Sequence, residues 1–133
     1  MIYLLDTNTL SDFLRGHLQV VSTIQTKLRG GHYVCICQPI YYEIRRGLFL
    51  KQASAQLAKL EQQIIPQFEW LSLDDDDWTQ AARFWADAKG RGKQLSDVDL
   101  LLAAMAYRRG AVIASSDRDF DTLPVRREDW RTS

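Results

Sequence analysis

The sequence predicts one α/β domain in which a parallel β-sheet is flanked by helices. Short apolar runs typical of strands lie at residues 2–5, 33–37, 68–73 and 111–114. Longer segments with helical periodicity separate these runs, and such alternation is typical of parallel sheets. No repeat, low-complexity tract or Pro/Gly/Ser-rich linker interrupts the chain, so we expect a single domain over residues 1–133.

Three helices can be placed from the residues at their ends. Pro39 suits a first helical position, and apolar residues recur at every fourth position after it, which predicts a helix from about Pro39. The four acids at residues 74–77 suit the first turn of an amphipathic helix, where they match its dipole rather than surround an ion. Ser96 and Asp99 have the spacing of a capping box, and Gly110 is expected to end that third helix.

The composition is ordinary for a globular protein, with 46% hydrophobic and 26% charged residues. The formal net charge is zero, so no broad basic field attracts nucleic acid, and any polyanion must be bound locally. No apolar run approaches the roughly 18 residues of a membrane span or resembles a secretion signal. We therefore expect a cytoplasmic protein with no membrane partner, in which Cys35 and Cys37 are buried, reduced thiols.

Four acidic residues are expected to meet at one edge of the predicted sheet. Asp6 and Asp117 follow the first and last apolar strands, and the carboxyl ends of parallel strands share one edge, where ligand crevices form. Glu43 lies just past the first turn of the helix that follows the second strand, so it reaches the same edge. Asp99 begins the helix that a tight turn joins to the last strand, which places Asp99 beside the end of that strand.

Acids at this density indicate a bound cation. Two carboxylates about 4 Å apart repel each other by about 4 kcal/mol at an effective dielectric of about 20. Mg²⁺ or Mn²⁺ prefers oxygen ligands, keeps several waters and can activate one of them to attack a phosphodiester. Each acid alone has an ordinary structural explanation, such as the capping role of Asp99, so the prediction of metal-dependent hydrolysis rests on their convergence.

Four blocks resemble, in order and spacing, those of PIN-domain ribonucleases, specifically the VapC-type toxins of bacterial toxin–antitoxin pairs. The blocks are LLDTNTLSDFLR, PIYYEIRRG, SDVDLLLAAMAYRRG and VIASSDRDF. The resemblance covers nearly the whole chain and implies a PIN-like α/β/α sandwich. It also implies cleavage of structured RNA, often transfer or ribosomal RNA, with Mg²⁺ or Mn²⁺ as cofactor, together with dimerisation and binding of an antitoxin protein.

The resemblance assigns roles residue by residue. The catalytic and metal-binding positions are filled by Asp6, Glu43, Asp99 and Asp117. Asn8 and Ser115 fill supporting polar positions. Asp97 offers a second acid in the third block, so the division of labour between Asp97 and Asp99 stays open, although the match to DLLLAA favours Asp99. Asp119 is likewise an alternative to Asp117, which lies nearer the end of the strand.

Two surfaces are expected to bind partners. The segment 89–93, with two glycines between Lys89, Arg91 and Lys93, predicts a flexible basic loop beside the cleft that could contact RNA phosphates. A symmetric homodimer is expected because the helices after Pro39 carry more apolar side chains than one sheet face requires. These side chains are Leu48, Phe49, Leu57, Leu60, Ile64 and Ile65.

Two other functions fit part of the pattern. An aspartyl-phosphate domain of the haloacid dehalogenase or receiver kind also places an Asp after an apolar first strand. The dehalogenase pattern requires a second Asp where this chain has Asn8, and no lysine follows the last apolar strand to neutralise a phosphoryl group. The second alternative is a non-catalytic binding module with the PIN fold, against which the intact acids in all four blocks argue.

Overall fold

Five parallel strands form the sheet in the computed structural model, which describes residues 1–132. The strands are β1 (Ile2–Leu5), β2 (Tyr33–Cys37), β3 (Glu69–Leu71), β4 (Val112–Ala114) and β5 (Arg126–Glu128). They lie in the order β3-β2-β1-β4-β5, so the first strand of the chain is in the centre. Leu4 of β1 is in register with Cys35 of β2 on one side and with Ile113 of β4 on the other. The predicted parallel α/β sheet is confirmed.

Helices connect the strands and cover the sheet. Within the described residues they are α1 (Thr7–Leu14), α2 (Leu18–Arg29), α3 (Gln38–Leu50), α4 (Ser54–Lys59), α5 (Asp75–Gly90) and α6 (Asp97–Arg109). A π-helical turn, Leu60–Ile64, and a 3₁₀ turn, Ile65–Gln67, continue from α4 towards β3. A further 3₁₀ turn, Arg118–Thr122, follows β4.

The two outer strands differ from the prediction. The run at 68–73 forms only the short strand β3, because Phe68 is buried in the core as a packing residue rather than paired in the sheet. Strand β5 was not predicted, since its sequence, Arg-Arg-Glu, has no apolar residue. Both are edge strands, with one sheet neighbour each, and charged residues are common on such strands because they discourage pairing with other chains.

Helix α6 is the central helix of the molecule. Every residue from 100 to 106 is buried, because α6 packs against α5, α3 and β4 on different sides. Ser96 caps its start, accepting a hydrogen bond of 3.1 Å from the backbone N–H of Asp99, and Gly110 ends it with φ of 62°. Within the described residues the Asp99 side chain accepts no hydrogen bond from the backbone N–H of Ser96, so the predicted capping box is only half formed.

The acids at 74–77 begin α5 as expected, with a complete capping box between Asp74 and Asp77. The sequence did not indicate that Asp77 would be fully buried, with its carboxylate accepting hydrogen bonds of 2.8 Å from both Arg108 and Arg109. Burial raises the pKa of Asp77, but the Arg109, Asp74 backbone and Arg108 hydrogen bonds outweigh it and hold the pKa at about 2. These ion pairs fasten the start of α5 to the end of α6, so Arg108 and Arg109 have a structural role.

Both cysteines are free and buried, as predicted. Burial raises the pKa of each thiol to about 11, so Cys35 and Cys37 stay protonated at neutral pH. Among the described residues no helix is both long enough and apolar enough to cross a membrane.

Most of the apolar side chains expected on a dimer surface are instead packed inside the molecule. Three of the six belong to the hydrophobic core, namely Leu48, Leu60 and Ile64. Leu57 and Ile65 are partly buried against that core, and only Phe49 is largely exposed, at 60%. Leu60 and Ile64, four residues apart at the two ends of the π-helical turn, both face the core. That basis for the homodimer prediction is therefore wrong.

Candidate active site

The four predicted acids all lie at the carboxyl edge of the sheet. Asp6 directly follows β1 and caps α1, and Asp117 follows β4 by three residues. Glu43 lies in the second turn of α3, the helix that begins directly after β2. Asp99 lies in the first turn of α6. The parallel topology thus brings together residues that are far apart in the chain.

Asp6 is held by the ends of β1 and β4. It is only 4% exposed, and its carboxylate accepts a hydrogen bond of 2.7 Å from the backbone N–H of Thr9. The Thr9 hydroxyl in turn donates to the carbonyl of Ala114 at 2.8 Å, which fixes the start of α1 to the end of β4. Burial raises the pKa of Asp6, hydrogen bonds from Ser115 and Thr9 partly offset this rise, and the charge of Asp117 adds to it.

Ser115 connects two of the acids. Its side chain is fully buried, and the hydroxyl donates a hydrogen bond to Oδ2 of Asp6 while accepting one of 2.9 Å from the backbone N–H of Asp117. The predicted supporting position of Ser115 therefore coincides with a contact that orients Asp6. The Asp117 carboxylate accepts a hydrogen bond of 2.9 Å from the backbone N–H of Asp119, so the Asp119 backbone supports Asp117.

The pKa of Asp99 reflects the proximity of the acids most clearly. Burial is the largest cause of its raised pKa, which reaches about 6, and a hydrogen bond with Ser96 lowers it in part. The negative charges of Glu43, Asp117 and Asp6 raise it further. All four acids thus share one electrostatic environment that disfavours simultaneous ionisation.

Glu43 has two contacts that sequence reasoning did not identify. The Thr7 hydroxyl donates a hydrogen bond to Oε1 of Glu43, and the Arg46 guanidinium lies 3.3 Å from Oε2. Thr7 directly follows Asp6, so the start of α1 contributes to two acids at once. The i, i+3 spacing of Glu43 and Arg46 was a visible signal for the second contact.

The remaining predicted residues lie at the periphery. Asn8 is exposed on the first turn of α1, next to Asp6 in sequence. Asp97 is also exposed and borders an apolar groove and a neighbouring polar pocket. The acids whose charges raise the pKa of Asp99 are Glu43, Asp117 and Asp6.

The basic segment differs from the predicted flexible loop. Helix α5 continues through Gly90, so Lys89 is helical, and a tight turn follows in which the Lys93 N–H donates to the carbonyl of Ala88 at 2.8 Å. Gly92 has φ of 72°, a conformation that favours glycine. Arg91 is already engaged, because its guanidinium donates to Asp87 at 2.7 Å and to the Thr122 carbonyl at 2.6 Å.

The donor set fits a hard divalent cation. All four side chains offer carboxylate oxygens, the ligands that Mg²⁺ and Mn²⁺ prefer. Burial and, to a smaller extent, neighbouring negative charges raise the pKa values of Asp6 and Asp99, and a cation would offset those charges. As the side chains stand, no three His, Cys, Asp or Glu residues within 1–132 form a group that could hold an ion. Glu43 is engaged with Thr7 and Arg46 instead.

Comparison with known proteins gives the family. The model of the PIN domain family matches residues 3–125. The Mycobacterium tuberculosis protein called Ribonuclease VapC11 and the Mycobacterium bovis protein called VapC ribonuclease Mb1587 are each 28% identical over 124 residues, covering 90% of both chains. These names agree with the VapC-type resemblance of the four sequence blocks.

Solved structures agree in fold. A chain of FitAcB from Neisseria gonorrhoeae superposes with a TM-score of 0.83 at 27% identity, covering 100% of both chains. A chain of VapBC2 from Rickettsia felis, solved with a DNA fragment from its promoter, has a TM-score of 0.88 at 19% identity and covers 98% of this chain and 99% of that one. Fold, motif order and family match are mutually consistent, and the chain belongs to the PIN domain family.

Proposed function

We propose that this protein is a divalent-metal-dependent endoribonuclease, the toxin of a type II toxin–antitoxin pair. The relatives named as VapC ribonucleases support the activity, and the similarity to chains of the FitAcB and VapBC2 structures supports an antitoxin partner. The observation that carries the chemistry is the placement of Asp6, Glu43, Asp99 and Asp117 at the carboxyl edge of the sheet, where the other three charges add to burial in raising the pKa of Asp99. This electrostatic environment favours a cation over a neutral ligand.

The residues that would hold Mg²⁺ or Mn²⁺ are Asp6, Glu43, Asp99 and Asp117. Once bound, the ion supplies positive charge and acidifies a water for attack on the phosphodiester. Ser115 and the Thr9 N–H keep the Asp6 carboxylate in one orientation, and Thr7 does the same for Glu43. Removing such a supporting contact usually lowers metal affinity or activity about 10- to 100-fold.

The test is cleavage of total cellular RNA in Mg²⁺ or Mn²⁺, with a chelator control, by the parent and the Asp6→Asn variant. We expect the variant to lose activity by more than about 100-fold, since a ligand should matter more than its supporting contacts. Asp119→Asn is the matched control, because Asp119 is exposed and supports Asp117 through its backbone. Equal cleavage by the parent and Asp6→Asn would favour the non-catalytic binding module.

We also propose a homodimer, on a surface different from the one first expected. An apolar groove of about 770 Å³ lies between the start of α3, α5 and α6. Tyr42 and Trp78 line it and are 56% and 57% exposed, and contiguous exposed apolar surface of this kind is typical of protein interfaces. A second copy burying this groove would remove both aromatic residues from water.

Light scattering tests the dimer at tens of micromolar protein. The parent is expected to have twice the monomer mass, and Trp78→Glu is expected to be monomeric because it places a charge in the groove. Phe49→Glu is the matched control, since Phe49 is equally exposed but lies at the other end of α3. A monomeric parent contradicts the proposal, and a monomeric Phe49→Glu variant would return the interface to the end of α3.

A further inference from the structure

A neutral protein must concentrate its few available cations where it binds RNA. In the described part of the chain seven arginines form ion pairs with carboxylates, whereas none of the ion pairs involves Lys89 or Lys93. The engaged arginines are Arg15, Arg46, Arg91, Arg108, Arg109, Arg127 and Arg131. Lys89 and Lys93 therefore have ammonium groups available for phosphate.

The two lysines line the same pocket. This pocket, about 270 Å³ in volume, lies between the end of α5 and the start of α6. Its lining also includes Trp85, which is 50% exposed, and the Lys89 ammonium lies 5.6 Å from the centre of the Trp85 ring. An aromatic face and two cations thus border one concave site.

The polar side of the pocket adjoins the acidic site. Ser96 lines the pocket and accepts a hydrogen bond from the backbone N–H of Asp99, so the pocket and Asp99 share the first turn of α6. Gln94 and Asp97 line it as well and offer a side-chain amide and a carboxylate. These groups can hydrogen-bond the edge of an unpaired base, and the two lysines can pair with the negative charge of the adjoining phosphate.

We propose that this pocket is a nucleotide subsite of the ribonuclease, in which an unpaired base stacks on Trp85 while the adjoining phosphate contacts Lys89 and Lys93. The inference rests on the proposed function, since it concerns the substrate of that same site. It implies that the substrate is single-stranded, or has an unpaired loop, near the bond that is cut, because a base inside a duplex is stacked between its neighbours and cannot enter the pocket. Gln94 then contributes to base preference.

The lining of the pocket favours a nucleotide over a protein segment. The neighbouring groove, which Trp85 also borders, is apolar and suits a second copy of the chain. The pocket instead combines lysines, an amide and a carboxylate with one aromatic ring. Trp85 borders both the groove and the pocket, so a Trp85 variant must be tested for RNA binding and for oligomeric state.

The experiment measures binding of a short fluorescent single-stranded RNA to the Asp6→Asn protein in Mg²⁺, so that cleavage does not interfere. Adding Trp85→Ala is expected to weaken binding roughly 5- to 100-fold, and Trp85→Phe is expected to retain most of it. Lys89→Gln and Lys93→Gln are each expected to reduce the slope of log affinity against log salt by about 0.7. Arg83→Gln, an exposed charge change on the same helix, is the control and should leave the slope unchanged.

Three results would overturn the subsite. The first is that adding Trp85→Ala leaves RNA affinity equal to that of the Asp6→Asn protein. The second is that Arg83→Gln lowers the salt slope as much as the lysine variants do. The third is that Trp85→Ala changes the molecular mass in solution without changing RNA affinity. The last would assign Trp85 to the protein interface. If the parent cleaves no RNA with any metal while these binding losses persist, the proposed function fails and the subsite stands. If the parent cleaves RNA but the pocket variants bind RNA as well as their background, the subsite is wrong and the proposed function stands.

Discussion

Glu43→Gln and Asp99→Asn are each expected to abolish RNA cleavage while the fold is retained. The amide side chains keep the shape of the carboxylates but lose the charge that holds a divalent cation. A loss of more than about 100-fold is expected, since removing an outer-shell contact alone typically costs 10- to 100-fold. The measurement is the rate of Mg²⁺- or Mn²⁺-dependent RNA cleavage, with circular dichroism as the check on folding.

Asp97→Asn is the matched control for this result. Asp97 and Asp99 lie in the same turn of α6, but Asp97 is exposed and borders the groove and the pocket. We expect Asp97→Asn to retain substantial activity. An Asp97 variant as inactive as the Asp99 variant would exchange their assignments, and normal turnover by Asp99→Asn or Glu43→Gln would remove that residue from the site.

Without metal, Asp99→Asn is expected to be more stable than the parent at neutral pH. Burial and the charges of Glu43, Asp117 and Asp6 raise the pKa of Asp99 from its ordinary value of 3.8 to about 6. The folded state therefore keeps a proton that the unfolded chain has released, and stability falls as pH rises from about 4 to about 6. One pKa unit corresponds to about 1.4 kcal/mol, so with allowance for partial exposure the cost is about 2 kcal/mol at neutral pH.

Thermal melts in chelator check this expectation. Removing about 2 kcal/mol of unfavourable free energy should raise the melting temperature by roughly 5 to 10 °C at neutral pH. It should raise it by little at about pH 3, where the carboxyl group is mostly protonated in both states. Millimolar Mg²⁺ or Mn²⁺ should then stabilise the parent more than Asp99→Asn or Asp6→Asn, because only the parent has the full ligand set. Equal metal-induced shifts in all three proteins would mean that these acids do not bind the ion.

The sequence was sufficient to place the acids, because their positions follow from simple rules. Apolar runs that end in Asp6 and just before Asp117 indicated strands, and parallel strands share their carboxyl edge. The start of α6 at Ser96 and its end at Gly110 follow from capping chemistry. These features depend on neighbours within a few residues, which a sequence displays directly.

The features that the sequence did not reveal depend on contacts between distant elements. Strand β5 is charged and forms only because β4 offers a free edge. The burial of Asp77 needs both arginines at the end of α6, about thirty residues away, and nothing near Asp77 distinguishes it from the exposed acids beside it. The support of Glu43 by Thr7 likewise joins α1 to α3. Long-range pairing of this kind is outside the reach of local patterns.

The central place of β1 in the sheet has a consequence for the order in which the acidic site assembles during synthesis. Asp6 emerges from the ribosome well before Ser115, whose hydroxyl orients it and which lies 109 residues later in the chain. Strand β1 also lacks its second sheet neighbour until β4 has been made. Pairings between such distant segments form slowly, so a nascent or truncated chain that ends before β4 has no assembled acidic site. Assembly of the acidic site is thereby deferred until β4 and Ser115 have been translated and have joined β1.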